Sequence, residues 1–136
     1  MKPKLSFLLA LTFLFLFSGS VYGGDFQDAM DAANKGDFKT AYKLFLPLAE
    51  QGNAAAQSKL GILYQKGLGV QQDDKEAVKW FRLAAEQGSA EAQYFLGGMY
   101  SHGKGVPKDL KEEVKWTRLA AEQGNADAQY NLDNYA

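Results

Sequence analysis

Cysteine is absent from all 136 residues. Disulfides, thiolate metal sites and a lipid-modified N-terminal cysteine are therefore excluded. Proline occurs only three times and histidine once. One imidazole without thiols is a poor start for a metal site, which needs several ligands at fixed spacing. An excess of positive charge is also missing, with 15 Lys and Arg against 16 Asp and Glu. That balance disfavours a nucleic-acid partner, whose phosphates demand a basic face. It equally disfavours a polybasic grip on a membrane.

The one long apolar run lies near the start. "MKPK" is basic, "LSFLLALTFLFLF" (5–17) carries no charge, and "SGSVYGG" (18–24) is small and polar. That order predicts a secretory signal peptide over 1–23, with Val21 and Gly23 before the cut. Thirteen apolar residues fall short of the roughly 20 that span a bilayer as a helix. No stable membrane anchor is expected after cleavage. Removing 23 residues leaves 113, and losing Lys2 and Lys4 takes the net charge from −1 to −3. The expected destination is the periplasm or the cell exterior.

What is present in abundance is a repeat. "LAAEQG" stands at 83–88 and again at 119–124, and "PLAEQG" at 47–52. Each begins 36 residues after the one before. At that step Ala54, Gln57, Leu60, Gly61 and Tyr64 meet Ala90, Gln93, Leu96, Gly97 and Tyr100. Gly67, Gly69, Asp73, Trp80 and Gly88 likewise meet Gly103, Gly105, Asp109, Trp116 and Gly124. A period of 20–50 residues signals a solenoid, whose units bury their apolar stripes only against their neighbours.

Each unit reads as two helices. Ala92, Leu96, Met99 and Tyr100 form one helical face, and Ala77, Trp80, Phe81, Ala84 and Ala85 another. Asn53, Ser89 and Asn125 suit N-caps. Asp73 with Glu76, and Asp109 with Glu112, resemble capping boxes. Gly61 and Gly97 should let backbones approach closely, while Trp80 and Trp116 fill the space between layers. Gly88 and Gly124 suit a left-handed turn after the second helix. Pro47 falls inside a second helix and predicts a kink or early break. The resulting division is 24–136 as one repeat domain. It holds a partial unit at 25–52, full units at 53–88 and 89–124, and a terminal helix at 125–136.

The spacing Ala-x-Gln-x-x-Leu-Gly-x-x-Tyr, Gly-x-Gly-Val, Trp and Ala-Ala-Glu-x-Gly resembles the Sel-one-like repeat, a relative of the tetratricopeptide repeat. The likeness covers about residues 37–132. It implies an all-α, right-handed superhelical solenoid that binds a protein or peptide partner, without catalysis or cofactor. Two residues depart from the pattern. Glu113 replaces the small Ala77, and Asp133 replaces the glycine of Gly61 and Gly97. Cysteine-rich secreted relatives associated with β-lactams suggest an enzyme as the alternative, but their cysteine pairs are absent here. Self-association through an exposed end is a second alternative.

Chemistry-bearing residues are otherwise accounted for by structure. Gly67-x-Gly69 and Gly103-x-Gly105 lack the strand and Lys-Ser context of a phosphate loop. Asp73–Asp74 and Glu112–Glu113 stand at helix starts, where negative charge is stabilised. His102 precedes a turn glycine, and no third group positions it as a base for Ser58, Ser89 or Ser101. Tyr94 and Tyr130 differ from these. Each lies nearly opposite the apolar stripe of its helix, and Ser58 holds the same place one unit earlier. Since first helices of such solenoids line the concave face, these two tyrosines are the candidate partner-binding residues.

Overall fold

The computed structural model describes residues 25–135. The signal segment predicted over 1–23 lies outside them. A first helix, α1, runs over residues 25–34. Six more follow: α2 (Phe38–Glu50), α3 (Ala54–Lys66), α4 (Asp74–Glu86), α5 (Ala90–His102), α6 (Leu110–Glu122) and α7 (Ala126–Tyr135). Helices α2 to α6 are each 13 residues long. No strand occurs among the described residues. The principal contacts join each helix to its sequence neighbour, with a lesser one between α3 and α5. The fold is an all-α helical-repeat solenoid. None of the described helices is long and apolar enough to cross a membrane.

The caps follow from the sequence with one correction. Asn53 Oδ1 accepts from Ala56 N at 2.9 Å, Ser89 Oγ from Ala92 N at 3.3 Å, and Asn125 Oδ1 from Ala128 N at 2.9 Å. Asp73 Oδ1 accepts from the amides of Lys75 and Glu76, and Asp109 Oδ1 from those of Lys111 and Glu112. The reciprocal half of the expected capping box is not made. The Asp73 amide donates instead to the Tyr64 carbonyl, and the Asp109 amide to that of Tyr100. The main chain thereby ties each second helix to the end of the first, so Glu76 and Glu112 are released for other contacts.

Pro47 causes no early break, since α2 continues to Glu50. Pro47 and Lys43 both lie on an exposed face. Water can therefore satisfy the Lys43 carbonyl that proline leaves without a helical donor.

The core is segmented, as expected of stacked units. Ala29, Ala32, Ala41, Phe45, Leu60 and Trp80 belong to the first cluster. Phe81, Ala92, Leu96, Met99 and Trp116 belong to the second. Ala120, Ala121 and Ala128 make a small third cluster, with Tyr94 and Leu132 against it. The first cluster includes α1, where Phe26 meets Phe45 edge-on at 5.6 Å. The leading unit thus has two packed helices.

Gly61 and Gly97 do mark close approaches, but the nearest neighbour of each is a side chain of the second helix and not its backbone. A Cβ on Gly61 would stand 2.5 Å from Phe81 Cδ1, and one on Gly97 2.7 Å from Thr117 Oγ1. In the loops, Gly67 and Gly103 take the left-handed cap, and Gly105 lies against the start of the preceding unit's second helix. A Cβ on Gly105 would stand 2.6 Å from the Asp74 carbonyl carbon. Backbone packing accounts for this glycine pair.

Candidate functional site

Glutamine carries a repeated link that periodicity alone did not reveal. Gln87 Nε2 donates to Gln57 Oε1 at 2.8 Å, and Gln57 Nε2 to the Ala49 carbonyl at 3.1 Å. One unit later Gln123 donates to Gln93 at 2.7 Å, and Gln93 to the Ala85 carbonyl at 3.2 Å. Gln129 donates to the Ala121 carbonyl at 3.0 Å. Each relay joins the end of one second helix, through a buried glutamine, to the preceding one. This is the physical content of the recurring "AEQG": a short side chain at Gln87 or Gln123 would leave the buried amide half satisfied. The signal was in the sequence as a fixed Gln–Gln separation.

The two complete helix pairs diverge where α4 and α6 face their first helices. Phe81 is fully buried and stacks on Phe95, with ring centroids 5.2 Å apart and planes within 11°. Its counterpart Thr117 is too small to fill the equivalent volume. One helical turn earlier, Ala77 is replaced by Glu113. A cavity of about 490 Å³ lies beside these two positions. Tyr94, Phe95, Gly98 and Met99 of α5, Glu113 and Thr117 of α6, and Asn131, Asn134 and Tyr135 of α7 line it. Gln65 of α3, with Ser101, His102 and Lys104, completes the wall.

Glu113 is the unusual member. It is only 4% exposed, although it sits in the first turn of its helix. Glu112 and Glu113 both stand in the first turn of α6, as expected, but their side-chain hydrogen bonds lie elsewhere. Glu112 Oε2 accepts from the Trp116 indole at 3.0 Å. Glu113 Oε1 accepts from the Tyr135 hydroxyl. No Lys, Arg or His among the described residues lies within ion-pair distance of Glu113. The hydrogen bond to Glu113, then burial, pushes the Tyr135 hydroxyl up to about 12. Tyr135 is nonetheless 53% exposed, so solvent reaches the lid over the carboxylate.

The sequence-chosen tyrosines do not form a free ladder. Ser58, at their register position, is 1% exposed and donates to Glu91 Oε1 at 2.7 Å. Lys59 pairs with the same carboxylate at 3.0 Å. The position opposite the apolar stripe thus faces the next first helix. Tyr94 is accordingly half-buried, edge-on to Phe95 at 5.6 Å and packed against the third cluster. It reaches the cavity wall. Tyr130 is 69% exposed and is not part of that wall. The helical wheel counted one packed face per helix, whereas an interior solenoid helix meets neighbours on several sides.

Other singled-out residues are structural or solvated. Trp80, Trp116 and Tyr100 are buried. Tyr64 is half-buried and shares a 3.0 Å hydrogen bond with Tyr42. Burial, then that bond, raises its hydroxyl well above the ordinary tyrosine range. Gly88 and Gly124 have φ of 96° and 92°, the left-handed turn expected of them. His102 is exposed, with Nδ1 2.9 Å from the Gly98 carbonyl. Among the described residues no cluster of His, Asp and Glu suits a metal. Asp133 is exposed, as its charge requires.

The Sel1 repeat model matches residues 32–53, 54–89 and 90–125. A Sel1 repeat protein from Oxalobacter formigenes is 39% identical, with a TM-score of 0.74, over 78% of this chain and 44% of that one. The protective antigen c5321 of uropathogenic Escherichia coli, which displays an SLR fold, is 34% identical, with a TM-score of 0.79. That match covers 85% of this chain and 26% of the antigen. Helicobacter pylori cysteine rich protein B shares the fold at 21% identity and a TM-score of 0.63, over 79% of this chain and 91% of that one. No curated protein matches. This chain spans less than half the length of the first two solved relatives. With three matched repeats over most of its length, the chain belongs to the Sel1 repeat family.

Proposed function

We propose that this chain is an exported, non-catalytic adaptor that binds a protein segment in the groove lined by α5, α6 and α7, with Gln65 of α3 at its wall. Sel1 repeats are generally protein-interaction modules. The observation that carries the reading for this chain is the cavity under α5 and α7. There the second helix gives up an aromatic plug and gains a buried carboxylate, while its repeat framework is otherwise kept. Burying a carboxylate and leaving space both oppose folding. Such a departure suits a binding site better than a packing joint. Tyr94 contributes an amphipathic surface to the groove wall, and Tyr130 is exposed on α7 outside that wall.

The test uses a photo-crosslinking amino acid in place of Gly98, where an added Cβ meets nothing within 4 Å. A control carries the same group in place of Leu83, an exposed position of α4. Partner adducts from the native envelope should form at position 98 and not at 83. Adducts at position 83 alone would move the interface to the second helices. Export rests on the signal-like segment, and the secreted protein should begin at Gly24 by mass spectrometry. An intact Met1 form in the membrane fraction would mean an anchor instead.

A further inference from the structure

The geometry points to an arginine side chain of the partner segment as the occupant of the cavity, with its guanidinium on Glu113. This rests on the groove reading above and names the chemistry that the groove selects. Glu113 supplies a buried negative charge without a cationic partner among the described residues. A carboxylate offers about four acceptor sites, and only the Tyr135 hydroxyl occupies one here. Gln65 adds a second unsatisfied acceptor. Its Oε1 is buried without a hydrogen-bond partner, and its side chain lines the same cavity. Its Nε2 is turned toward Met99 Sδ at 3.5 Å.

The free acceptor sites of Glu113 call for a ligand rich in donors. The wall also presents the rings of Tyr94, Phe95 and Tyr135, whose π faces attract cations. Guanidinium meets both demands. It carries five N–H donors in a plane, stacks on aromatic rings and stays charged. An ammonium has three donors and is more strongly hydrated, so lysine should fit less well. The cavity volume falls inside the range of about 300–1,000 Å³ seen for ligand pockets, enough for one long side chain.

Tyr135 explains how the carboxylate is tolerated while the cavity is empty. Its hydroxyl donates to the carboxylate, and its ring is exposed to solvent. The equivalent place in the α3–α4 pair cannot do this. There Ala77 supplies no charge and Phe81 fills the volume over Gly61. The arrangement therefore gives one arginine subsite, in the α5–α6 pair.

The probe is the blocked tripeptide Ala-Arg-Ala, with lysine and citrulline versions, titrated into the ¹⁵N-labelled protein. Citrulline keeps the shape and most donors of arginine but has no charge. Amide shifts should centre on Tyr94, Glu113, Thr117 and Tyr135. Affinity should fall from arginine to lysine to citrulline, with arginine at least roughly tenfold above citrulline. Glu113→Gln should abolish that difference while the spectrum stays folded. Tyr135→Phe should keep it, because the hydroxyl only stands in for the ligand. Equal affinity for arginine and citrulline, absence of binding by all three peptides, or shifts away from the cavity would overturn the assignment. So would an arginine preference that survives Glu113→Gln. Crosslinking at position 98 with no arginine preference would leave the groove in place and remove only its chemistry.

Discussion

The pairs α3–α4 and α5–α6 share length, caps, glutamine relay and the glycine beneath the second helix, yet they use that glycine differently. Over Gly61 lies the rigid ring of Phe81, stacked onward against Phe95. Over Gly97 lies the hydroxyl of Thr117, beside a cavity and a buried carboxylate. Their tryptophans differ too. Trp116 donates its indole N–H to Glu112, whereas Trp80 Nε1 is buried without a partner, although Glu76 and Glu112 each approach a lysine three residues on, at 3.9 and 4.0 Å. One framework can therefore hold either a filled joint or one with a cavity and a buried carboxylate. The choice is made by a few side chains that the framework does not need.

Exchanging those side chains should separate the two pairs most strongly. Phe81→Thr, which writes the later residue into the earlier pair, removes a fully buried ring. Large-to-small changes of this kind cost about 3–5 kcal/mol, and urea melts should show a large drop in midpoint. A loss below about 1 kcal/mol would mean that the ring is not a central plug. The opposite exchange, Glu113→Ala with Thr117→Phe, should place a ring over Gly97 and remove the buried charge. Stabilising changes of this kind typically gain about 0.5–2 kcal/mol, so the midpoint should rise while arginine-peptide binding disappears. A lower midpoint would mean that the carboxylate holds the structure together.

The smallest contrast lies in the glycines themselves. Alanine has the higher helix propensity by about 1 kcal/mol. At Gly97 the added methyl crowds only the Thr117 hydroxyl, the backbone of Glu113 and Thr117 lying at ordinary contact distance, so Gly97→Ala should fall within about 1 kcal/mol of the parent. At Gly61 it meets several atoms of a packed ring. There overpacking of about 1–3 kcal/mol should outweigh the propensity gain. Thermal melts of the two variants should separate in that order. Equal melts would show that the Phe81 ring moves aside as easily as the Thr117 hydroxyl.

The 36-residue period, the cap residues and the apolar stripes were legible in the sequence because each is a local rule with a fixed spacing. They determined the helices, their order and the all-α solenoid, since a unit that cannot bury its own stripe must stack. The Glu113 departure was legible as well, but only as an exception to the pattern. Tertiary structure alone decided what it meant. The volume vacated between Phe81 and Thr117 depends on which helices close over it, and α7 brings Tyr135 to Glu113 from 22 residues away. It also decided that the shared position of Ser58, Tyr94 and Tyr130 grades from buried to exposed along the chain. A helical wheel gives direction around one axis. Exposure depends on the next helix, which Ser58 and Tyr94 have beside them and Tyr130, among the described residues, does not.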